Sequence, residues 1–163
     1  MDRLWTPWRF DYIRQIDRSD CGCVFCRIQS EDCDDSNFVL HRGKAIFALL
    51  NKFPYTSGHI LMVANRHISM LQEANVDELH DFIELAQLCE HALKSEYSPD
   101  GYNIGFNLGR AAGAGVEGHL HMHMLPRWTG DSNFVSVVGE TRVLPEELHT
   151  TYQRLLPYFR QTR

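Results

Sequence analysis

Hydrophobic and polar positions change period several times along the chain, and each change marks an element. Between Phe38 and Ala64 the apolar residues come in short blocks: Phe38-Val39-Leu40, then Ala45 to Leu50, then His59 to Ala64. A turn at Arg42-Gly43 separates the first two blocks, and Asn51 to Gly58, which holds Pro54 and Gly58, interrupts the pattern before the third. Three strands are predicted. Asn75 followed by Glu78 then has the form of a capping box, and Leu79, Phe82, Ile83, Ala86, Cys89 and Leu93 recur at helical spacing. This predicts a helix of about five turns that stops near Ser98-Pro99. Tyr102 to Asn107 and His119 to Arg127 read as two more strands, joined by a Gly/Ala-rich loop from Leu108 to Gly118. A last helix is predicted from Pro145-Glu146-Glu147 toward Tyr158. Ahead of the strands, the acidic stretch Glu31 to Ser36 reads as a solvated loop, and residues 1–22, with Trp5, Trp8 and Phe10 among arginines, as an arm packed on the body. Antiparallel strands with two main helices give an α+β fold.

Composition narrows the function classes. The 163 residues are enough for one sizeable core, and the formal charge of −5 lacks the basic excess that an extended nucleic-acid groove requires. A small phosphate ligand needs only a few local donors and stays open. The longest apolar runs, such as Ile60 to Ala64, fall far short of the roughly 20 residues that span a bilayer, so no membrane is expected. The amino terminus has no apolar signal core, which makes the cytoplasm the expected location. Of the cysteines, Cys21, Cys23, Cys26 and Cys33 crowd together while Cys89 sits alone in the helical pattern. In a reducing compartment the cluster points to a metal or redox site, and Cys89 to a small buried hydrophobe.

The most informative segment is Gly118-His119-Leu120-His121-Met122-His123-Met124, in which histidine alternates with an apolar residue. In a strand, side chains repeat every second residue, so the three imidazoles share one face and Leu120, Met122 and Met124 the other. Imidazole titrates near pH 6.5, so adjacent rings can divide the roles of nucleophile, proton donor and metal ligand. Metal binding by all three is the competing reading. Phosphate chemistry is favoured by the preceding loop, Asn107 to Gly115, whose small residues let backbone amides approach an anion closely.

His119-x-His121-x-His123 resembles the signature of the histidine triad (HIT) nucleotide-binding superfamily. Asn51, Pro54 and Gly58 to Val63 resemble its upstream nucleotide-pocket segment. Leu4-Trp5-x-Pro7-Trp8-Arg9, Asn103 to Gly109 and Pro126-Arg127-Trp128 resemble a bacterial subgroup related to diadenosine tetraphosphate phosphorylases. The resemblance implies a single domain over residues 1–163, with 1–36 as arm and Cys-x-x-Cys segment and 37–163 as core and carboxy-terminal helix. It implies a homodimer. It also implies a nucleotide or dinucleoside polyphosphate substrate, no nucleic-acid polymer as partner, and His121 as the nucleophile that forms a nucleotidyl-histidine intermediate. His123 and His59 would orient the triad or the phosphate, Asn51 would meet the ribose, and Asn107 with the amides of Ala114 and Gly115 would face phosphate oxygens. Trp128, directly after the histidine strand, is a candidate for lining the nucleotide pocket. Family hydrolases carry a Gln followed by Ser or Thr before the first histidine and phosphorylases a Gly-Ser. This chain reads Ala112-Gly113-Ala114-Gly115-Val116, which leaves water or inorganic phosphate as the second acceptor. A nucleoside phosphoramidase and a non-catalytic, zinc-stabilised nucleotide-binding module are the alternatives.

Cys23-Val24-Phe25-Cys26 has the gap that lets two thiolates chelate one Zn²⁺, but it supplies only half of a tetrahedral shell. Free or redox-paired thiols are the other reading. The family resemblance, extended to galactose-1-phosphate uridylyltransferases, implies His67 and His119 as the remaining ligands of a structural zinc site; His119 would then serve both metal and triad. Cys21 and Cys33 are read as bystanders, and His41, His80, His91 and His149 as surface residues.

Overall fold

The computed structural model describes residues 22–131 and 146–160. The expected arm and Cys21 therefore lie outside the described residues, apart from Gly22. The elements in chain order are α1 (Val24–Ser30), α2 (Asp34–Asn37), β1 (Val39–Arg42), β2 (Ile46–Leu50), β3 (Ile60–Ala64), a 3₁₀ turn (Leu71–Glu73), α3 (Val76–Tyr97), β4 (Gly101–Phe106), a 3₁₀ turn (Arg110–Ala112), β5 (His121–Arg127) and α4 (Leu148–Arg160). The strands form one antiparallel sheet in the order β1-β2-β3-β5-β4. Among the described residues no helix is long and apolar enough to cross a membrane.

Every residue of β2 and β3 is buried, because both faces of the sheet centre are covered. On one face Ile46, Ala48, Leu50, Ile60, Met62, Met122 and Met124 pack with Phe82, Cys89 and Leu93 of α3 and Tyr152, Leu155 and Phe159 of α4. On the other face Phe47, Leu49, Leu61 and Val63 pack with Phe25 and Ile28 of α1. Adjacent strand residues thus belong to different cores, as the two-residue period requires. In β5 the same alternation sends Met122 and Met124 to the long helices and the histidines to the α1 side. His119 stands ahead of β5 rather than within it.

Helix α3 starts on the expected capping box: Asn75 Oδ1 accepts the Glu78 amide and Glu78 Oε2 accepts the Asn75 amide, each at 2.9 Å. It ends at Ser98, whose φ of +46° cannot continue a helix. The expected apolar stripe is corrected at two positions. Leu79 and Ile83 are 38% and 59% exposed, while Leu85 and Ala92 lie inside with Phe82, Ala86, Cys89 and Leu93. Each residue turns a helix by about 100°, so a small rotation of the buried face exchanges these neighbours.

The acidic stretch is also corrected. Asp34–Asn37 forms a helical turn, and Asn37 is buried. Its organiser is Arg42, which donates to Asp34 Oδ1 at 2.7 and 2.9 Å and to the carbonyls of Ile28, Gln29 and Glu31 at 2.8–3.0 Å. A cation on the last carbonyls of α1 satisfies acceptors that a helix end leaves open. His80, His91 and His149 are exposed and His41 is half-buried, and Cys89 is fully buried. Replacing Phe82, which packs edge-on against Phe106 and is 1% exposed, with alanine should cost about 3–5 kcal/mol, read as a lower urea midpoint at unchanged slope.

Candidate functional site

The α1 side of the sheet gathers two clusters that share His119. In the first, Cys23 Sγ lies 3.2 Å from His119 Nδ1, Cys26 Sγ 3.6 Å from the same atom, and Cys26 Sγ 3.2 Å from His67 Nδ1. All four ligand atoms lie within 4.8 Å of one another. A tetrahedral zinc shell with Zn–S of about 2.3 Å and Zn–N of about 2.0–2.1 Å has edges of about 3.3–3.8 Å. The donor set and its spacing therefore fit Zn²⁺. Burial pushes the Cys23 thiol upward, but hydrogen bonds from His119 and the local backbone, with the His119 charge, outweigh it and bring the thiol down to about 6. Burial and the neighbouring Cys23 raise Cys26. His119 Nε2 donates to the Ala64 carbonyl at 2.6 Å, so once the ring gives up its second proton, as a metal ligand must, the lone pair lies on Nδ1 facing the cysteines.

The second cluster is a chain of imidazoles: His59, His119, His121 and His123 are all no more than 9% exposed. Buried ring nitrogens need partners, and the partners determine where the protons sit. His121 Nδ1 faces the His119 carbonyl at 2.7 Å. A carbonyl only accepts, so Nδ1 carries the proton and the neutral ring keeps its lone pair on Nε2. The Tyr55 amide donates to His59 Nδ1 at 3.2 Å, and Asn51 Nδ2 lies 3.3 Å from the same nitrogen. His59 Nε2 is then the protonated one and donates to His123 Nδ1 at 2.9 Å, which leaves the proton of neutral His123 on Nε2. Neighbouring rings on one strand thus hold opposite tautomers. Burial holds His121 below the ordinary imidazole range, against the raising effect of its bond to the His119 carbonyl.

The glycine-rich loop folds as a 3₁₀ turn between Gly109 and Gly113, both at positive φ. The Ala114 amide lies 3.4 Å from the Gly109 carbonyl, a long bond, and Gly115 follows it half-buried. Asn107 stands one residue beyond the Phe106–Met122 pair, on the His121 side of the register. Asn51, through His59, joins the same group. Trp128 is half-buried one residue past the end of β5, at about 3.3 Å per strand residue roughly 17 Å along the chain from His123.

Three participants escaped the sequence reading. Phe25, between the two cysteines, packs its ring on both His119 and His121 with centroids 5.4 and 5.1 Å apart. Tyr55 lies nearly parallel to His123 and tilted on His59. Arg66, beside His67, pairs with Glu78. Phe25 carried a usable signal in its place within Cys-x-x-Cys; Tyr55 lies in a Pro/Gly-broken stretch where periodicity is silent.

The HIT domain matches residues 34–130. The protein named AP-4-A phosphorylase of Mycobacterium tuberculosis is 35% identical over 163 residues, covering 96% of this chain and 83% of that protein. Among solved structures, a Zn-bound histidine triad family protein from Mycobacterium smegmatis superposes with a TM-score of 0.70 at 24% identity, covering 88% of this chain and 96% of that one. A hypothetical histidine triad nucleotide-binding protein from Sulfolobus tokodaii gives 0.66 at 27% identity, with coverage of 85% and 90%. The family model spans more than half of the chain and the mycobacterial relative matches nearly all of it, so the chain belongs to the HIT domain family.

Proposed function

We propose that this HIT-family enzyme cleaves dinucleoside polyphosphates of the diadenosine tetraphosphate type at the α-phosphate and passes the nucleotidyl group, through His121, to inorganic phosphate. The observation that carries the reading is the 2.7 Å bond from His121 Nδ1 to the His119 carbonyl, which aims an unprotonated Nε2 away from the backbone. That lone pair attacks the α-phosphorus, a P–N bond forms, and the P–O bond to the β-phosphate breaks with its electron pair leaving on ATP. Phosphate oxygen then attacks the same phosphorus, the P–N bond breaks, and ADP departs. His123, protonated on Nε2 through the Tyr55–His59 relay, is placed as hydrogen-bond donor to phosphoryl or leaving-group oxygen. Asn107 and the amides of Ala114 and Gly115 supply further donors to the phosphate, Asn51 meets the ribose, and Trp128 lines the nucleotide pocket away from the reacting phosphorus. Phosphate as acceptor follows the name of the mycobacterial relative.

Cys23, Cys26, His67 and His119 hold one structural Zn²⁺ in this reading. When bound, the ion fixes the His119 ring and offers no open position for substrate. The protein is a cytoplasmic homodimer: α3 and the edge strand β4, joined by the Phe82–Phe106 contact and the Tyr102–Glu90 bond, leave Val76, Ile83 and Ile104 49–80% exposed.

Incubating the protein with diadenosine tetraphosphate should yield ADP and ATP only when phosphate is present; AMP and ATP without phosphate would assign water instead. His121→Ala should lose about 10⁴-fold or more in turnover while still binding nucleotide, and His123→Ala about 10²–10⁴-fold. Retained turnover in His121→Ala would overturn the mechanism. Because the nucleophile is the neutral ring, and burial holds it below 6.5, the rate should stay level to below that pH and fall only in more acid solution. Elemental analysis of protein prepared without chelators should find about one equivalent of zinc, and less than about half would overturn the metal assignment. Ile83→Asp should shift sedimentation from dimer to monomer, and an unchanged dimer would place the interface elsewhere.

A further inference from the structure

His67 is the exposed member of the metal group, whereas His119 is buried and the two cysteines open α1 half-buried. It sits at the apex of a tight turn after β3, closed by the Ile68 amide donating to the Arg66 carbonyl at 3.0 Å. The turn is tied to the sheet on both sides. The Asn65 amide donates to the Ala45 carbonyl at 2.8 Å, and the Ile68 carbonyl accepts the Leu120 amide, next to His119, at 2.6 Å.

The side chain beside the apex makes a more elaborate contact. Arg66 Nε donates to Glu78 Oε1 at 2.6 Å and Arg66 Nη2 to Glu78 Oε2 at 2.8 Å, so the guanidinium forks onto both carboxylate oxygens. The same Nη2 donates to the Glu73 carbonyl at 3.0 Å. Arg66 remains half-exposed, but the Glu78 side chain is only 4% exposed. A capping-box glutamate needs no burial, because its backbone partner lies at the helix surface. Glu78 is buried and serves two partners, the Asn75 amide and Arg66, so the start of α3 is bolted to the turn that carries His67.

We propose that Arg66 and Glu78 are positioning residues for His67, holding the turn so that its Nδ1 meets Cys26 before any metal arrives. The inference rests on the zinc reading given above. An exposed ligand on an unanchored turn loses conformational freedom when it coordinates, and that loss subtracts from metal affinity. A forked ion pair made in advance removes most of it, and partners outside the ligand shell are typically worth about 10–100-fold in metal affinity. Lysine at position 66 would keep the charge but replace the fork by a point donor.

The test measures zinc affinity of the full-length chain by competition with a chromophoric chelator, with the absorption of bound Co²⁺ as a report on the ligand set. Arg66→Ala should bind zinc about 10–100-fold more weakly, with a Co²⁺ spectrum altered from tetrahedral, and Arg66→Lys should recover part of the loss. Glu78→Gln, which keeps the capping acceptor and removes the charge, should weaken binding in the same direction and serves if Arg66→Ala does not fold. Arg154→Ala, which removes the contacts of α4 with Glu96 of α3 and with Glu146 ahead of α4, should lower the melting temperature of the metal-free protein without changing zinc affinity. Zinc affinity unchanged in Arg66→Ala and Glu78→Gln, or lowered as much in Arg154→Ala, would overturn the inference while leaving the zinc site standing. Wild-type protein that takes up no zinc would overturn the zinc site and the inference together.

Discussion

Burying imidazoles on a sheet face is the constraint around which this protein is arranged. Four rings with two nitrogens each cannot be desolvated without partners, since an unmatched buried polar group costs on the order of 1–3 kcal/mol. Backbone meets part of the demand: the Ala64 carbonyl for His119, the His119 carbonyl for His121 and the Tyr55 amide for His59. Carbonyls and amides cannot exchange donor and acceptor roles, so each backbone partner also dictates a tautomer. The protonation pattern that the proposed chemistry needs is therefore a by-product of how the rings were made tolerable to the fold.

The same constraint explains the division of labour between the two sheet faces. Helices α3 and α4 seal one face with apolar side chains, so Leu120, Met122 and Met124 need no polar partners. The other face is covered by α1, a single short helix that brings Phe25 onto His119 and His121 and two thiols onto His119. The shortness of α1 and the polarity of β5 belong together.

Much of this was legible in the sequence because it rests on local periodicity. The alternation from His119 to Met124 placed the imidazoles on one face, and Asn75 with Glu78 marked the start of α3. The unread parts are those where a residue answers to two surfaces or to a distant partner. Leu79 and Ile83 joined the helical stripe because they are apolar, yet they lie on the outer side of α3, where the proposed dimer would cover them. A single sequence cannot separate an inner from an outer apolar face when the two adjoin. Glu78 read as a cap because its partner Asn75 is three residues away. Its second partner, Arg66, lies across a loop whose path only the folded chain defines. Tyr55 gives His59 a backbone amide besides its ring contact, and no residue type announces an amide.

His119 shows why the metal group and the triad cannot be considered separately. Its ring faces Cys23 and Cys26 through Nδ1, while its carbonyl holds His121 through Nδ1 of that ring. Ring and carbonyl belong to one residue just ahead of β5, so a shift of the His119 backbone would move both the ring facing the cysteines and the carbonyl under His121. The ring's other nitrogen is fastened to the carbonyl of Ala64, the last residue of β3, and the Ala64 amide in turn donates to the Leu120 carbonyl at 3.1 Å. Backbone and side-chain bonds thus bracket His119 from both directions. A zinc ion in the first cluster would tighten the remaining freedom of that ring, and the benefit would be felt one peptide away, at the nitrogen proposed to attack phosphorus. A metal held there would in this way support the proposed reaction without touching the substrate.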